Sequence, residues 1–126
     1  MKKQLTNNNN MPEKGFDLKV LIPTNDGFTI AKNGIEKALY YLMYNLSNRN
    51  YQLAGKIKAQ ALYEANFFDF ENFIQFLELE GVELIIDLTE NKCSQYYQLK
   101  IVSEKDISLV LNNLIDEIDQ KRSKPE

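Results

Sequence analysis

The sequence contains no histidine and no tryptophan, one cysteine and only three prolines in 126 residues. Each shortage removes a class of chemistry. Imidazole is the commonest transition-metal ligand and the side chain whose unperturbed pKa lies nearest neutrality. Without it, Ser-His-Asp, Cys-His and histidine-zinc mechanisms are excluded. Cys93 stands alone and cannot form a disulfide within the chain, which fits a reducing compartment and leads us to expect a cytoplasmic protein. No stretch approaches about 18 uninterrupted apolar residues, and the Lys2, Lys3 start is not followed by an apolar segment, so neither a membrane span nor a signal peptide is expected. An excess of positive charge is also missing: 15 Lys and Arg stand against 18 Asp and Glu. A net charge of -3 gives no footprint for a phosphate backbone, and nucleic acid is not an expected partner.

What the chain does have is enough apolar material for a core. Hydrophobic residues make up 44% of it, with seven Phe and seven Tyr, so one domain can fold without a disulfide or metal staple. Residues 1–16, with a run of asparagines at 7–10, carry too little apolar surface to offset ordering entropy. They are expected to form a tail. The domain is expected over 17–120, with a second charged tail at 121–126.

Leu18, Val20 and Ile22 alternate with Lys19 and Leu21 ahead of Pro23, and Thr24-Asn25-Asp26-Gly27 is dense in turn formers, which predicts a strand and a tight turn. Residues 38–46 are apolar nearly throughout, and three tyrosines favour a strand over a short helix. Tyr51, Leu53, Gly55 and Ile57 are expected on one side of a third strand, which would follow the turn at 47–50. The period then changes. Phe70, Phe73, Ile74 and Leu77 follow helical spacing, and Gly81 falls where a helix stops. Residues 82–88 form an apolar run suited to the middle of a covered sheet. A short helix or loop over 90–97 leads to a strand at 99–102. Ser103-Glu104-Lys105-Asp106 then reads as a capping-box variant before an amphipathic helix containing Ile107, Val110, Leu111, Leu114, Ile115 and Ile118. The order βββαβαβα is that of a ribonuclease H-like α/β fold with a mixed sheet of about five strands.

The segments Lys19-Val-Leu-Ile-Pro-Thr-Asn-Asp-Gly27 and Ala38-Leu-Tyr-Tyr-Leu-Met-Tyr-Asn45 resemble the first two strands of the dinitrogenase iron-molybdenum cofactor biosynthesis family. That family includes nitrogenase cofactor carriers and the C-terminal domain of the cofactor-precursor synthase. Glu80 to Ile86 and Ser103 to Leu114 are similar to its second half. The resemblance implies a non-enzymatic protein that holds or passes an iron-sulfur or iron-molybdenum cluster. Nitrogenase maturation proteins would be its partners, and it would be a monomer or weak homodimer. The chain departs from the family between those strands, where a Ser-x-His-Phe-Gly-x-Ala segment is usual. Asn33 or Gly34 stands at the histidine, within Ala31-Lys-Asn-Gly-Ile-Glu-Lys-Ala38.

Asp26, Lys32, Asn33, Gly34 and Cys93 are therefore the candidate cofactor-binding residues, with Cys93 as the candidate metal ligand because clusters are held chiefly by thiolates. Each has a plainer reading beside it. Asp26 suits the Asn-Asp-Gly turn, Cys93 suits a small, partly buried core thiol, and Lys32 suits a solvated charge. A set of lysines (Lys14, Lys19, Lys32, Lys37, Lys56 and Lys58) converging near the early loops would suit a polyanionic cluster. A metal-dependent nuclease built on Asp26, Asp87 and Glu90 is disfavoured, since residues 18–23 contain no acid. The alternative to a carrier is a protein-interaction module that retains the fold and has lost the cofactor.

Overall fold

The computed structural model describes residues 17–63 and 68–123. The tail expected at 1–16 lies outside the described residues. Strands β1 (Leu18–Thr24), β2 (Tyr40–Leu46), β3 (Tyr51–Lys58), β4 (Leu84–Asp87) and β5 (Leu99–Ile101) form one sheet in the order β3-β2-β1-β4-β5. β1 runs antiparallel to β2 and β2 to β3, while β4 is parallel to both β1 and β5. This is the α/β architecture expected from the order of elements.

Alternation along β1 divides the core between the two faces of the sheet. Leu21, Tyr41, Met43 and Ile85 point to one face, where Ile35 of the short helix α1 (Gly34–Lys37) and Phe73 and Leu77 of α2 (Phe70–Glu80) cover them. Val20, Ile22, Leu42, Leu46 and Ile86 point to the other and meet Ile107, Val110, Leu111 and Leu114 of α3 (Ile107–Ser123). α2 begins where the Asp69 carboxylate accepts from the Asn72 N–H at 3.2 Å. It ends at Gly81 with φ +74°, the left-handed cap that lets the Val82 N–H reach the Leu77 carbonyl at 2.9 Å.

Four expectations are corrected. The cap of α3 is Asp106, whose Oδ1 accepts from the Ser108 N–H at 3.0 Å and the Leu109 N–H at 3.3 Å, so Ser103 does not begin the helix. α3 continues to Ser123, three residues past the expected boundary at 120. α1 was not foreseen; four residues carry too little periodicity to show in a sequence. Finally, Tyr51, Leu53, Gly55 and Ile57 do not share a side. The β2–β3 register steps from Met43↔Gly55 to Tyr44↔Leu53, which makes Ala54 the extra residue of a β-bulge. Tyr51 and Leu53 therefore turn to the α3 face, and Gly55 and Ile57 to the α2 face.

Candidate functional site

The turn after β1 is held together by Asp26. Its Oδ1 accepts the backbone N–H groups of Phe28 and Thr29, both at 2.8 Å, and its Oδ2 accepts the Thr29 hydroxyl at 2.9 Å. These bonds favour the charged form, and they hold the carboxyl down at about 2. The Thr24 hydroxyl donates to the Thr29 carbonyl at 2.7 Å and accepts the Gly27 N–H at 2.9 Å. Gly27 takes φ +88°, which a side chain would resist. The result is a stiff loop that holds Phe28 75% exposed. The Phe28 carbonyl is anchored by the Ile107 N–H at 3.0 Å, so the loop is also tied to α3.

Asn33 serves a neighbouring clamp. Its Nδ2 donates to the Lys37 carbonyl at 3.0 Å and its Oδ1 accepts from Asn25 at 3.3 Å, while Asn25 Oδ1 accepts the Leu39 N–H at 3.0 Å. Gly34, at φ +75°, opens α1 against the end of β4; a Cβ there would lie 3.6 Å from Asp87 Oδ2.

Asp87 is the buried acid among the described residues, 1% exposed at the end of β4. Burial pushes its carboxyl pKa up, against hydrogen bonds that pull it down. Oδ1 accepts the Leu88 N–H at 2.7 Å, Oδ2 accepts Asn91 Nδ2 at 3.1 Å, and the backbone of Ile35 and Thr89 bonds the same carboxylate. It thus pins the loop that opens α1 to the loop after β4. A cleft of about 160 Å³ lies between them, lined by residues that include Asn33, Gly34, Lys37, Asp87 and Asn91. Of the candidate residues named from the sequence, Asn33 and Gly34 line this cleft.

Cys93 does not open onto it. The side chain is fully buried in the α2-face core, in a 3-10 turn (Lys92–Gln95) begun by Asn91, whose Oδ1 accepts the Cys93 N–H at 2.8 Å. Burial first, then the charges of Asp87 and Glu36, push the thiol up to about 12, so it stays protonated at neutral pH. A neutral, enclosed thiol is not available to an iron. Among the described residues no group of three or more Cys, Asp or Glu is placed to share a metal ion. The donor set among the described residues does not fit an iron-sulfur or iron-molybdenum cluster.

The lysines do not all lie at this end of the sheet. Lys32 is exposed just before α1 and Lys37 at its last residue, whereas Lys19 sits at the opposite end of β1, bonded to the Glu80 carbonyl at 2.7 Å. Lys56 and Lys58 belong to the edge strand β3, opposite Leu42 and Tyr40 at the same end of the sheet as α1, and Lys14 lies outside the described residues.

Comparisons bear on the fold. No family model and no curated protein matches the chain. Solved structures do. A candidate dinitrogenase from Methanocaldococcus jannaschii superposes with a TM-score of 0.54 at 15% identity, over 84% of this chain and 93% of that one. The protein PH0822 superposes with a TM-score of 0.54 at 13% identity, over 79% of this chain and 91% of its own. The chain shares the fold of these proteins. At such identity the likeness fixes the arrangement of strands and helices and leaves the chemistry to the residues of the site. No helix among the described residues is long and apolar enough to cross a membrane.

Sequence reasoning missed the span of Asp87 across two loops. The available signal was a lone acid closing the apolar run Leu84-Ile85-Ile86. It also missed Tyr41 as a support. The Tyr41 hydroxyl donates to the Ile35 carbonyl at 2.6 Å, so at the 2.8 Å contact with Tyr63 it is Tyr63 that donates. That pair fastens α1 to the sheet from below.

Proposed function

We propose that this protein is a non-enzymatic accessory protein related to nitrogenase cofactor assembly, acting as an interaction module through the surface at the carboxyl ends of β1 and β4. The observation that supports this most is the loop over 24–29. Its polar groups are taken up internally by Asp26 and Thr24, and an aromatic side chain, Phe28, is held out at 75% exposure. A stiff loop that presents an aromatic loses little entropy on docking, which is how anchoring residues gain most of their affinity. Asn33, Gly34 and Asp87 shape the adjoining cleft and have few free polar atoms to offer a ligand.

The test is a titration against purified nitrogenase maturation proteins. Phe28→Ala should weaken the binding seen with the parent chain by about tenfold or more, and Cys93→Ala should leave it unchanged. Equal binding by parent and Phe28→Ala across every such partner would refute the docking reading.

A cluster-carrier reading is favoured by the fold likeness to a candidate dinitrogenase and by exposed Lys32 beside the cleft. It requires ligands supplied with the cargo. On that reading, anaerobic incubation with a preformed thiolate-ligated iron-sulfur cluster gives protein-bound cluster absorbance that Lys32→Ala reduces and Cys93→Ala does not.

A further inference from the structure

The two faces of the sheet are unequally covered. Five strands at about 4.8 Å spacing span roughly 20 Å, while a helix with its side chains is about 10 Å across. Among the described residues one face carries α1 and α2, while the other carries α3, packed against β1, β2 and β4 and touching the start of β3. Tyr51 of β3 reaches the α3 core, but beyond it Leu53, Lys56 and Lys58 stay exposed on that face. Along β3 stand Tyr51, Leu53, Lys56 and Lys58, opposite Leu46, Tyr44, Leu42 and Tyr40 respectively. Leu53 is 51% exposed, and the Lys56 ammonium lies 4.6 Å from the centre of the Tyr40 ring. Between this row and α3 runs a groove of about 320 Å³, lined by Phe28, Tyr44, Tyr51, Ser108 and Leu111 among others.

The groove has a polarity. α3 starts beside Phe28 and finishes near the turn between β2 and β3, where Asn48 bonds Asp119 at 3.4 Å. The lysine end of β3 therefore lies beside the start of α3, and the Tyr51–Leu53 end beside its finish. On the outward stripe of α3 the order is Leu109, Asn112, Asp116, all exposed. Apolar comes first and acidic last, the reverse of the row on β3 when the two are read in the same direction.

We propose that this face is the interface of a two-fold homodimer in which α3 of each copy lies antiparallel to its counterpart and over the exposed part of β3 of the other. Antiparallel placement sets Asp116 of one copy against Lys56 and Lys58 of the other, and Leu109 against Leu53 and Tyr51. Both halves of the complement are on one chain, as an isologous interface requires. A second copy is therefore the occupant, and the two α3 helices become a layer between two sheets.

Sedimentation equilibrium of the full chain tests this. The parent should form dimers, and either Lys56→Glu or Asp116→Lys should raise the dissociation constant by about tenfold or more. Combining Lys56→Glu with Asp116→Lys in one chain should restore it. Leu79→Glu, an exposed position on α2, serves as the control and should have no effect. Circular dichroism establishes that each variant is folded. A parent that stays monomeric up to about 1 mM, or a dimer indifferent to both charge reversals, overturns the proposal.

Discussion

Substituting Cys93 by alanine and by serine separates a core thiol from a ligand. The side chain is fully buried against the core that contains Leu21, Ile35, Tyr41 and Phe73. Removing a sulfur, comparable to a methylene in size, loses about 0.8 kcal/mol of transfer free energy. The space it vacates adds roughly 0.6 kcal/mol, taking about 25 Å³ at about 24 cal/mol per Å³. Alanine should therefore cost about 1.4 kcal/mol. Serine fills most of the space but buries a hydroxyl in an apolar setting, at about 1–3 kcal/mol beyond the lost sulfur contacts. The expected order is parent, then alanine, then serine, with serine the least stable by about 1 kcal/mol or more. Urea unfolding at neutral pH followed by circular dichroism reads these differences directly. A companion measurement is reaction of the native thiol with an aromatic disulfide reagent, which should proceed only as fast as the protein opens. Serine more stable than alanine, or a native thiol that reacts like free cysteine, would refute the placement of Cys93 in the core.

Asp26→Asn tests the loop. Because the folded carboxyl is held at about 2, below its ordinary value of 3.8, its stabilisation is present above 3.8 and is lost as pH falls toward 2. The melting-temperature gap between parent and variant should therefore close over that window. Asp87→Asn should show the opposite sign. Its pKa is raised, so the parent gains stability relative to the variant as pH falls through the folded pKa to the ordinary value of 3.8, and loses it as pH rises again; thermal melts from neutral pH down to about 3.5 check this. Gly81→Ala places a side chain at φ +74° with open space around it. It should cost about 1 kcal/mol by backbone strain alone, and a urea midpoint unchanged from the parent would contradict the left-handed cap of α2.

Most of the fold was legible because its signals are local. The alternation of Leu18, Val20 and Ile22, the helical spacing of Phe70, Phe73, Ile74 and Leu77, and the amphipathic run from Ile107 each repeat a period over several residues. What escaped was set by a single residue or by partners far apart. Ala54 looks like any small strand residue, yet as a bulge it sends Leu53 and Ile57 to opposite faces. Asp106 and Ser103 are both good caps in isolation; the antiparallel bridge between Thr29 and Asp106 favours the later start.

The candidate site divides in the same way. Sequence alone determined that a turn rich in Asn, Asp and Gly follows β1, that the chain has no imidazole, and that a single thiol is the soft donor. Tertiary structure decided what those groups can do. Asp87 and Gly34 are 53 positions apart in the chain, and only the parallel pairing of β4 with β1 brings the loops that carry them together. The burial that keeps Cys93 protonated comes from α1, α2 and the sheet closing over it. A residue's type is written in the chain, but its solvent and its neighbours exist only once distant segments have packed.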